Sequence, residues 1–527
     1  MLKRQKKNLS EPSGFALYAW VFGMGLISTG LSAQEFILPM DDISRMQMVR
    51  EDVHRQTAVH SGMQPVYTGF IEDFDPDAAV HRDTSAARSL VHRKIFEEHL
   101  VIADKPGLRF VFDPIFNFSG GEELRRNGFP EGNPNPLYVN TRGFAVSGKV
   151  GDAVYVYTDF TENQARFPVY LTDFVQNYNV VPGMGRVKPF GEGGYDFSMA
   201  SGFVGFNPAK WLTVQAGHFK HFLGHGSRSL LLSDNAFNYP FAGYTLSLWG
   251  GKVQLRNNVA LMQSLERLPL GDAPESLFKR KRVSFNYLSI KPVKSLEIGF
   301  YEAVMWRAFR EGSGNTPFDY SALNPLIFTN TLRFGLDDPN RNAMVGVNAA
   351  WQPVDKLRLY GQYMRDRGGN AKGGFQAGVH AYGLAKYFDV RLEYNQAEEG
   401  SYAAANALQG FTHLNQPLAH PLGSGFREVL GAVTFLRKRW YARAEWVSAD
   451  LTAGLRDPLL TPEAGAAEAM RVFYQDYRVA YIFNPRNQMQ VFAGFTDRST
   501  EADAVNTRNA FWYFGLKTRL PRTYRNF

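Results

Sequence analysis

From residue 108 onward the chain repeats one unit: a run in which apolar and polar positions alternate, a tight turn, a second such run, and then a longer connection. A period of two places successive side chains on opposite faces of a strand, so each run carries one apolar and one polar face. Met489, Val491, Ala493 and Phe495 form one face, and Gln490, Phe492, Gly494 and Thr496 the other. Trp440, Ala442, Ala444 and Trp446 alternate with Tyr441, Arg443 and Glu445. Phe375, Ala377, Val379 and Ala381 alternate with Gln376, Gly378, His380 and Tyr382, and Val390, Leu392 and Tyr394 with Arg391, Glu393 and Asn395. A soluble sandwich alternates too, but its strands are shorter, whereas these are long enough to cross a bilayer when tilted.

The pattern predicts an all-β fold, a transmembrane antiparallel outer-membrane barrel of about 18 strands. The strands are expected near 108–118, 142–150, 152–163, 195–206, 211–219, 242–250, 252–264, 281–290, 295–306, 343–352, 356–367, 374–386, 388–397, 427–436, 439–449, 470–483, 487–496 and 509–520. Tight turns such as Gly250-Gly251, Phe388-Asp389 and Arg437-Lys438 alternate with long links at 119–141, 164–194, 220–241, 307–342, 398–426 and 450–469. Short turns on one side and long loops on the other is the outer-membrane layout, with the short side periplasmic. Trp211, Trp249, Trp306, Trp351, Trp440, Trp446 and Trp512 are assigned to strand ends, where interfacial girdles belong. The last strand leads past Pro521 to Phe527, an aromatic that suits outer-membrane assembly.

Ahead of the barrel, two segments read differently. Residues 1–33 have the signal-peptide layout: Lys3, Arg4, Lys6 and Lys7, an apolar run from Phe15 to Leu31, and small residues up to a cut near Ala33. Residues 34–107 are richer in charge and carry helical spacing, as in 85–100, where Ala86, Leu90, Val91, Ile95 and Leu100 share a face. That segment is expected to form short helices at the periplasmic mouth, with residues 108–527 as the barrel.

Composition agrees. There are 42 Phe, 25 Tyr and 49 Gly, a β-rich usage, and mean hydropathy is −0.29, too polar for a bundle of apolar helices. With no cysteine, disulfides, thiol nucleophiles, cysteine-ligated metals and a lipid-modified N-terminal cysteine are excluded. The formal charge is +8, of which +3 lies in residues 1–33, so the mature chain is only mildly basic and offers no case for nucleic acid.

Two loops concentrate polar side chains. In 217–235, His218, His221 and His225 invite a metal reading, but 218 and 221 point to opposite faces of a strand. Ser233, Asp234 and His225 invite a hydrolase reading, but adjacent Ser233 and Asp234 do not both aim at one imidazole without unusual geometry. In 413–428, two prolines and two glycines fix a loop that enters a strand at Arg427, its donors and acceptors suited to sugar hydroxyls or to a loop folded into the barrel mouth. On the polar strand faces, Arg256, Arg358, Arg391, Glu393, Arg443, Glu445, Asp476, Arg478 and Lys517 line either a water-filled pore or a lumen paired against a plug.

Gly224-His-Gly-Ser-Arg-Ser-Leu-Leu-Leu-Ser-Asp-Asn-Ala236 with Tyr239-Pro240, and Gln416-Pro-Leu-Ala-His-Pro-Leu-Gly423 running on to Glu428, resemble the Wzi-like capsule assembly family, in its Bacteroidetes branch that includes RemB-type gliding motility proteins. The chain departs from that pattern at Leu223 and His225, where an aromatic and a proline are common. The resemblance implies an eighteen-strand outer-membrane barrel with a helical periplasmic piece, closed to free diffusion, that holds capsular or other surface polysaccharide on the cell. The expectation is a non-enzymatic monomer without cofactor or metal, partnered by outer-membrane lipid, polysaccharide and, in the motility branch, envelope or gliding components. The glycan-binding candidates are His221, His225, Arg228, Asp234, Asn235, Tyr239, His413, Gln416, His420 and Arg427. The alternative is an outer-membrane channel, a porin or part of a secretion machine.

Overall fold

The computed structural model describes residues 40–55, 59–66, 88–129, 136–267 except 152, 278–310, 314–366 except 337 and 339, 372–452 except 405, and 469–527 except 504. The expected leader at 1–33 lies outside the described residues. Eighteen strands close one antiparallel barrel. They are β1 Leu108–Asn127, β2 Leu137–Val150, β3 Val154–Arg166, β4 Gly194–Ala209, β5 Leu212–Phe219, β6 Tyr239–Leu248, β7 Val253–Arg267, β8 Phe278–Val293 and β9 Leu296–Arg307. The second half comprises β10 Arg341–Val354, β11 Leu357–Asp366, β12 Lys372–Leu384, β13 Phe388–Ala397, β14 Phe426–Arg437, β15 Trp440–Leu451, β16 Met470–Asn484, β17 Met489–Ala502 and β18 Thr507–Lys517. β18 closes on β1, with Phe514 opposite Gly120.

Each expected strand is found, and the main departures have local causes. The expectation ended the first strand at 118, because Gly120-Gly121 reads as a break. Instead β1 continues to Asn127: Gly121 sits opposite Tyr513, where a Cβ would come within 2.2 Å of the Trp512 carbonyl oxygen, so glycine permits the strand to pass. The last strand stops at Lys517 rather than 520 because the chain turns into the barrel, with the Thr518 hydroxyl accepting the Phe116 N–H at 3.0 Å. Trp446 and Trp512 were expected at strand ends but lie mid-strand on the outward face, and Trp306 is covered.

Period two holds through the wall. Val390 and Leu392 face out while Asp389 and Glu393 are buried inward, and Val491 faces out beside the buried Gln490 and Phe492. The polar faces thus converge on the lumen, and the lumen is filled. Helix α1, Asp42–Arg55, lies inside the barrel: Arg50 pairs with Asp389 on β13 at 2.8 Å, and Asp52 pairs with Arg358 on β11 at 2.7 Å and Lys291 on β8 at 3.4 Å. A helix this polar does not hold together alone in water, but a lumen lined with counter-charges satisfies it. Short helices at the barrel mouth describe α2, Leu90–Phe96, which sits at the short-turn rim, where the Asn484 side chain donates to the Glu98 carbonyl at 2.8 Å. They do not describe α1, which reaches the interior because the inward-facing charges need partners. The hydrophobic core is lumenal too: wall residues Phe285, Tyr287 and Tyr301 cluster with Leu230, Leu231, Leu418 and Leu422 from inturned loops. No described helix is long and apolar enough to cross a membrane, which says nothing about strands.

Candidate functional site

After β5 the chain turns into the barrel, and every residue from Phe219 to Ala236 is buried. Phe222 and Leu223 form a two-residue antiparallel ladder with Met63 and Gln64 of the N-terminal segment. Gly226 lets this loop touch the wall, since a Cβ there would lie 2.7 Å from Glu393 Oε2. The N–H groups of Ser227 and Arg228 donate to that same carboxylate at 2.6 and 3.0 Å. A loop buried so deeply needs such acceptors, because an unpaired amide away from water costs as much as a lost hydrogen bond.

Arg228, fully buried, is the hub. Its guanidinium meets Glu428 on β14 through Nη2 at 2.9 Å, donates from Nη1 to the Asn526 side chain at 3.0 Å, and lies over the Tyr524 ring at 5.2 Å. Glu428 also holds His420 Nε2 at 2.9 Å and the Asn395 side-chain amide at 2.9 Å. Burial pulls the His420 imidazole below its ordinary value more than Glu428 restores it. As a neutral ring it donates from Nε2 to Glu428 and accepts the Leu422 N–H at Nδ1, 3.1 Å. His413 does the same, accepting the Gln263 N–H at 3.1 Å and donating to the Asn238 carbonyl at 3.0 Å, and burial pushes it down to about 3. Burial, with Arg256 nearby, also lowers His221 to about 3, and its Nδ1 lies 3.1 Å from the Tyr239 hydroxyl.

The second loop and the C-terminal tail lock onto the first. Ser233 donates its N–H to the Leu418 carbonyl at 2.7 Å, the Asn235 side chain donates to the Pro417 carbonyl at 3.0 Å, and Gln416 accepts the Gly183 N–H at 2.7 Å. The tail climbs back through the lumen, where the Tyr524 hydroxyl donates to Asp234 at 2.6 Å and Arg522 to the Ser227 carbonyl at 2.7 Å. Phe527 packs inside against Phe174 at 5.0 Å.

Nine of the ten sequence candidates, His221, His225, Arg228, Asp234, Asn235, Tyr239, His413, Gln416 and His420, are therefore gathered in the lumen and buried. Arg427 faces outward and is exposed. The histidines do not converge: His218 meets the Ala200 carbonyl, His221 meets Tyr239, and His225 lies between Asn348 and Glu297. Nor do Ser233, Asp234 and His225, since Ser233 donates to the Ala419 carbonyl and Asp234 accepts from Tyr524.

Above the plug lies helix α3, Val169–Tyr178, which buries Tyr170, Leu171, Val175 and Tyr178 and exposes Asp173, Gln176 and Asn177. The sequence reading passed over it. Its signal was the i, i+4, i+8 spacing of Tyr170, Phe174 and Tyr178 just after Pro168. Beside the tail remains a cavity of about 290 Å³ that touches Gln488 and Lys517 near the turn side and Tyr138 and Arg166 near the loop side, with Arg443 and Tyr474 between.

A family model described as capsule assembly protein Wzi matches residues 132–496, more than half of the chain. The chain belongs to the Wzi capsule assembly family. The matched stretch includes α3 and both inturned loops of this Wzi-family barrel and stops short of the tail. Among solved structures, Wzi of Escherichia coli, described as an outer-membrane protein involved in group 1 capsule assembly and as a carbohydrate-binding β-barrel, is similar with a TM-score of 0.52. That match has 12% identity and covers 92% of this chain and 100% of that one, and it supports the fold. OprD of Pseudomonas aeruginosa is similar at a TM-score of 0.42 and 9% identity, covering 78% of this chain and 96% of that one. OpdQ of the same organism gives 0.40 and 10%, covering 77% and 98%. No curated protein sequence matches.

Proposed function

We propose that this chain is a non-enzymatic, monomeric outer-membrane barrel that attaches or assembles capsular or other surface polysaccharide at the cell surface. The observation that carries this reading is the family match across 132–496, and the filled lumen supports a holding role over a transport one. In this reading residues 1–33 direct export, the short turns face the periplasm and the long loops face outside. The buried loop residues, Arg228 and His420 foremost, set the shape of the mouth. Sugar contacts fall to the exposed surface above them: Asp173, Gln176 and Asn177 of α3, the neighbouring Arg186 and Lys188, and Arg427 at the start of β14. Weak polar contacts repeated along a polymer give avidity without one deep pocket. The RemB-type placement rests on the 224–240 and 416–428 segments.

Deleting the gene and measuring cell-bound against released polysaccharide, together with spreading on agar, tests this. Polysaccharide moving to the medium at unchanged total synthesis is the expected result, and lost spreading with normal retention would favour the motility branch. Normal retention and spreading would refute both. A channel reading is favoured only by the 290 Å³ cavity that touches both ends of the lumen. It requires stepwise conductance in a planar bilayer, and an electrically silent barrel removes it.

A further inference from the structure

The link between β9 and β10 neither stands above the barrel nor enters it. It folds down over the outside of the wall. On the outward face of β7, β8 and β9, where apolar side chains belong, the chain places Asn257, Asn286 and Glu302, all buried at 0–1% exposure. What buries them is the 314–336 segment. Glu302 accepts the N–H groups of Phe328 and Thr331 at 3.0 and 2.8 Å and the Thr331 hydroxyl at 2.6 Å. Asn257 donates to the Ala322 carbonyl at 2.9 Å, Tyr244 on β6 to the Leu323 carbonyl at 3.0 Å, and Arg282 on β8 to the Thr316 carbonyl at 2.9 Å. Between these polar contacts, Ala322 and Phe318 cluster with Val304, Trp306 and Ala343 of the wall.

The depth of this flap decides what surrounds it. Asn257 lies four residues beyond Val253, the first residue of β7 at the short-turn rim. Four residues span roughly 13 Å along a strand, or about 10 Å of height at barrel tilt, inside an apolar band about 25 Å tall. A segment at that depth has lipid on its far side unless protein covers it. The flap's far side is mostly apolar: Tyr320, Leu326 and Leu332 are 79%, 69% and 84% exposed, on the same outer face as the exposed wall residues Val347 and Trp351, and the one exposed cation, Arg333, lays its guanidinium over the Phe334 ring at 4.9 Å. Non-helical backbone is tolerated in hydrocarbon only where its amides and carbonyls find protein partners, which is what Glu302 and Asn257 supply, with Asn286 hydrogen-bonded between them.

We propose that residues 314–336 form a membrane-seated flap, clamped to the outer wall by Glu302 and Asn257, whose Leu326 and Leu332 side chains contact lipid acyl chains. The inference rests on the barrel being an outer-membrane one and goes beyond the polysaccharide role. Because the chain lacks cysteine, single substitutions Leu326→Cys, Leu332→Cys, Val347→Cys and Arg125→Cys can each carry a nitroxide label without background. The full-length barrel in phospholipid nanodiscs is probed by the accessibility of each label to oxygen, which concentrates in lipid, and to a water-soluble nickel chelate. Labels at 326 and 332 should match Val347, with an oxygen-to-nickel ratio several-fold above that at Arg125 on the protruding end of β1. Nickel access at 326 and 332 like that at Arg125 would place the flap in water and overturn the proposal. Protection from both reagents would mean a protein cover, and would overturn it as well. If Val347 itself is nickel-accessible, the membrane reading fails along with the flap; if Val347 lies in lipid and Leu332 does not, the flap alone fails.

Discussion

The inturned loops and the outer flap meet the same difficulty, buried backbone, with the same device and different surroundings. Glu393 receives two loop amides inside the barrel, Glu297 receives the Ser61 and Gly62 N–H groups at 3.1 Å each, and Glu302 receives two flap amides outside. A carboxylate is the strongest acceptor available for orphan amides, which explains three glutamates in otherwise well-packed places. The surroundings differ in their cations. Inside, Arg228 faces Glu428 and Arg358 faces Asp52, whereas among the described residues no cation pairs with Glu302. The lumen sets a charge network beside its apolar core, while on the outer wall Glu302 is held by neutral donors.

The largest effect should come from breaking that network. Arg228→Met leaves Glu428 buried without its cation, which costs about 3–5 kcal/mol. Urea unfolding in detergent micelles, followed by the mobility shift of the folded barrel, measures it. Arg228→Met combined with Glu428→Leu should recover most of the loss, as burial of an uncompensated charge is the dominant cost. A loss below about 1 kcal/mol in the single variant would mean that the network is not what holds the loops in.

Next comes the outer clamp. Glu302→Leu strands two amides and a hydroxyl, each costing about 1–3 kcal/mol when left unsatisfied. Because the flap is a local element, the loss should appear as protease cleavage within 314–336 while the urea midpoint of the barrel stays put. Glu393→Leu should do the reverse, since it also strands the Tyr360 hydroxyl and the Asn395 amide within the barrel. Global loss in Glu302→Leu would show that wall and flap are one unit, and the contrast between the two regions would collapse.

The wall was legible because alternation is a strong, local signal and each strand displays it. The interior was not, for a physical reason: a loop that fills a barrel is as polar as one that meets solvent, so Arg228, Asp234 and His420 read as surface sugar contacts. The cue against that reading was Leu230-Leu231-Leu232, an apolar run too long for an open loop, next to Gly226 and Gly224, which allow close approach to the wall. The flap had a cue of another kind. Asn257, Asn286 and Glu302 break the apolar face of three neighbouring strands at positions that pair directly across the sheet. A polar row on a lipid face implies a cover, but only the strand register shows that the three form a row.

Acid separates the two regions through histidine. His221 and His413 are held at about 3, below their ordinary value near 6.5, so the unfolded chain takes up protons first. Their contribution is intact above pH 6.5 and falls as pH drops toward 3, by about 2 kcal/mol for each at pH 5. The 314–336 flap contains no histidine. Lowering pH from 7 to 5 should therefore reduce the urea midpoint and loosen the inturned loops, and His413→Gln should weaken the dependence. Equal acid sensitivity of proteolysis in flap and loops would contradict the assignment.

The smallest effect tests how far the network extends toward the short-turn rim. Arg50 on α1 grips Asp389 with Nε at 3.0 Å and Nη2 at 2.8 Å, yet it retains some solvent contact, and Asp389 keeps a second donor in the Gly383 N–H at 2.8 Å. Water can then join Gly383 at Asp389 when the guanidinium is gone, whereas the fully buried Glu428 keeps only its neutral donors His420 and Asn395 and no water. Arg50→Ala should accordingly cost about 1.5–3 kcal/mol, the range of one charged hydrogen bond, against the larger loss at Arg228. If the two substitutions cost the same, α1 is held as tightly as the loops and the lumen behaves as one cooperative plug. If Arg50→Ala is much the milder, the helix is the part of the plug that yields first from the short-turn side.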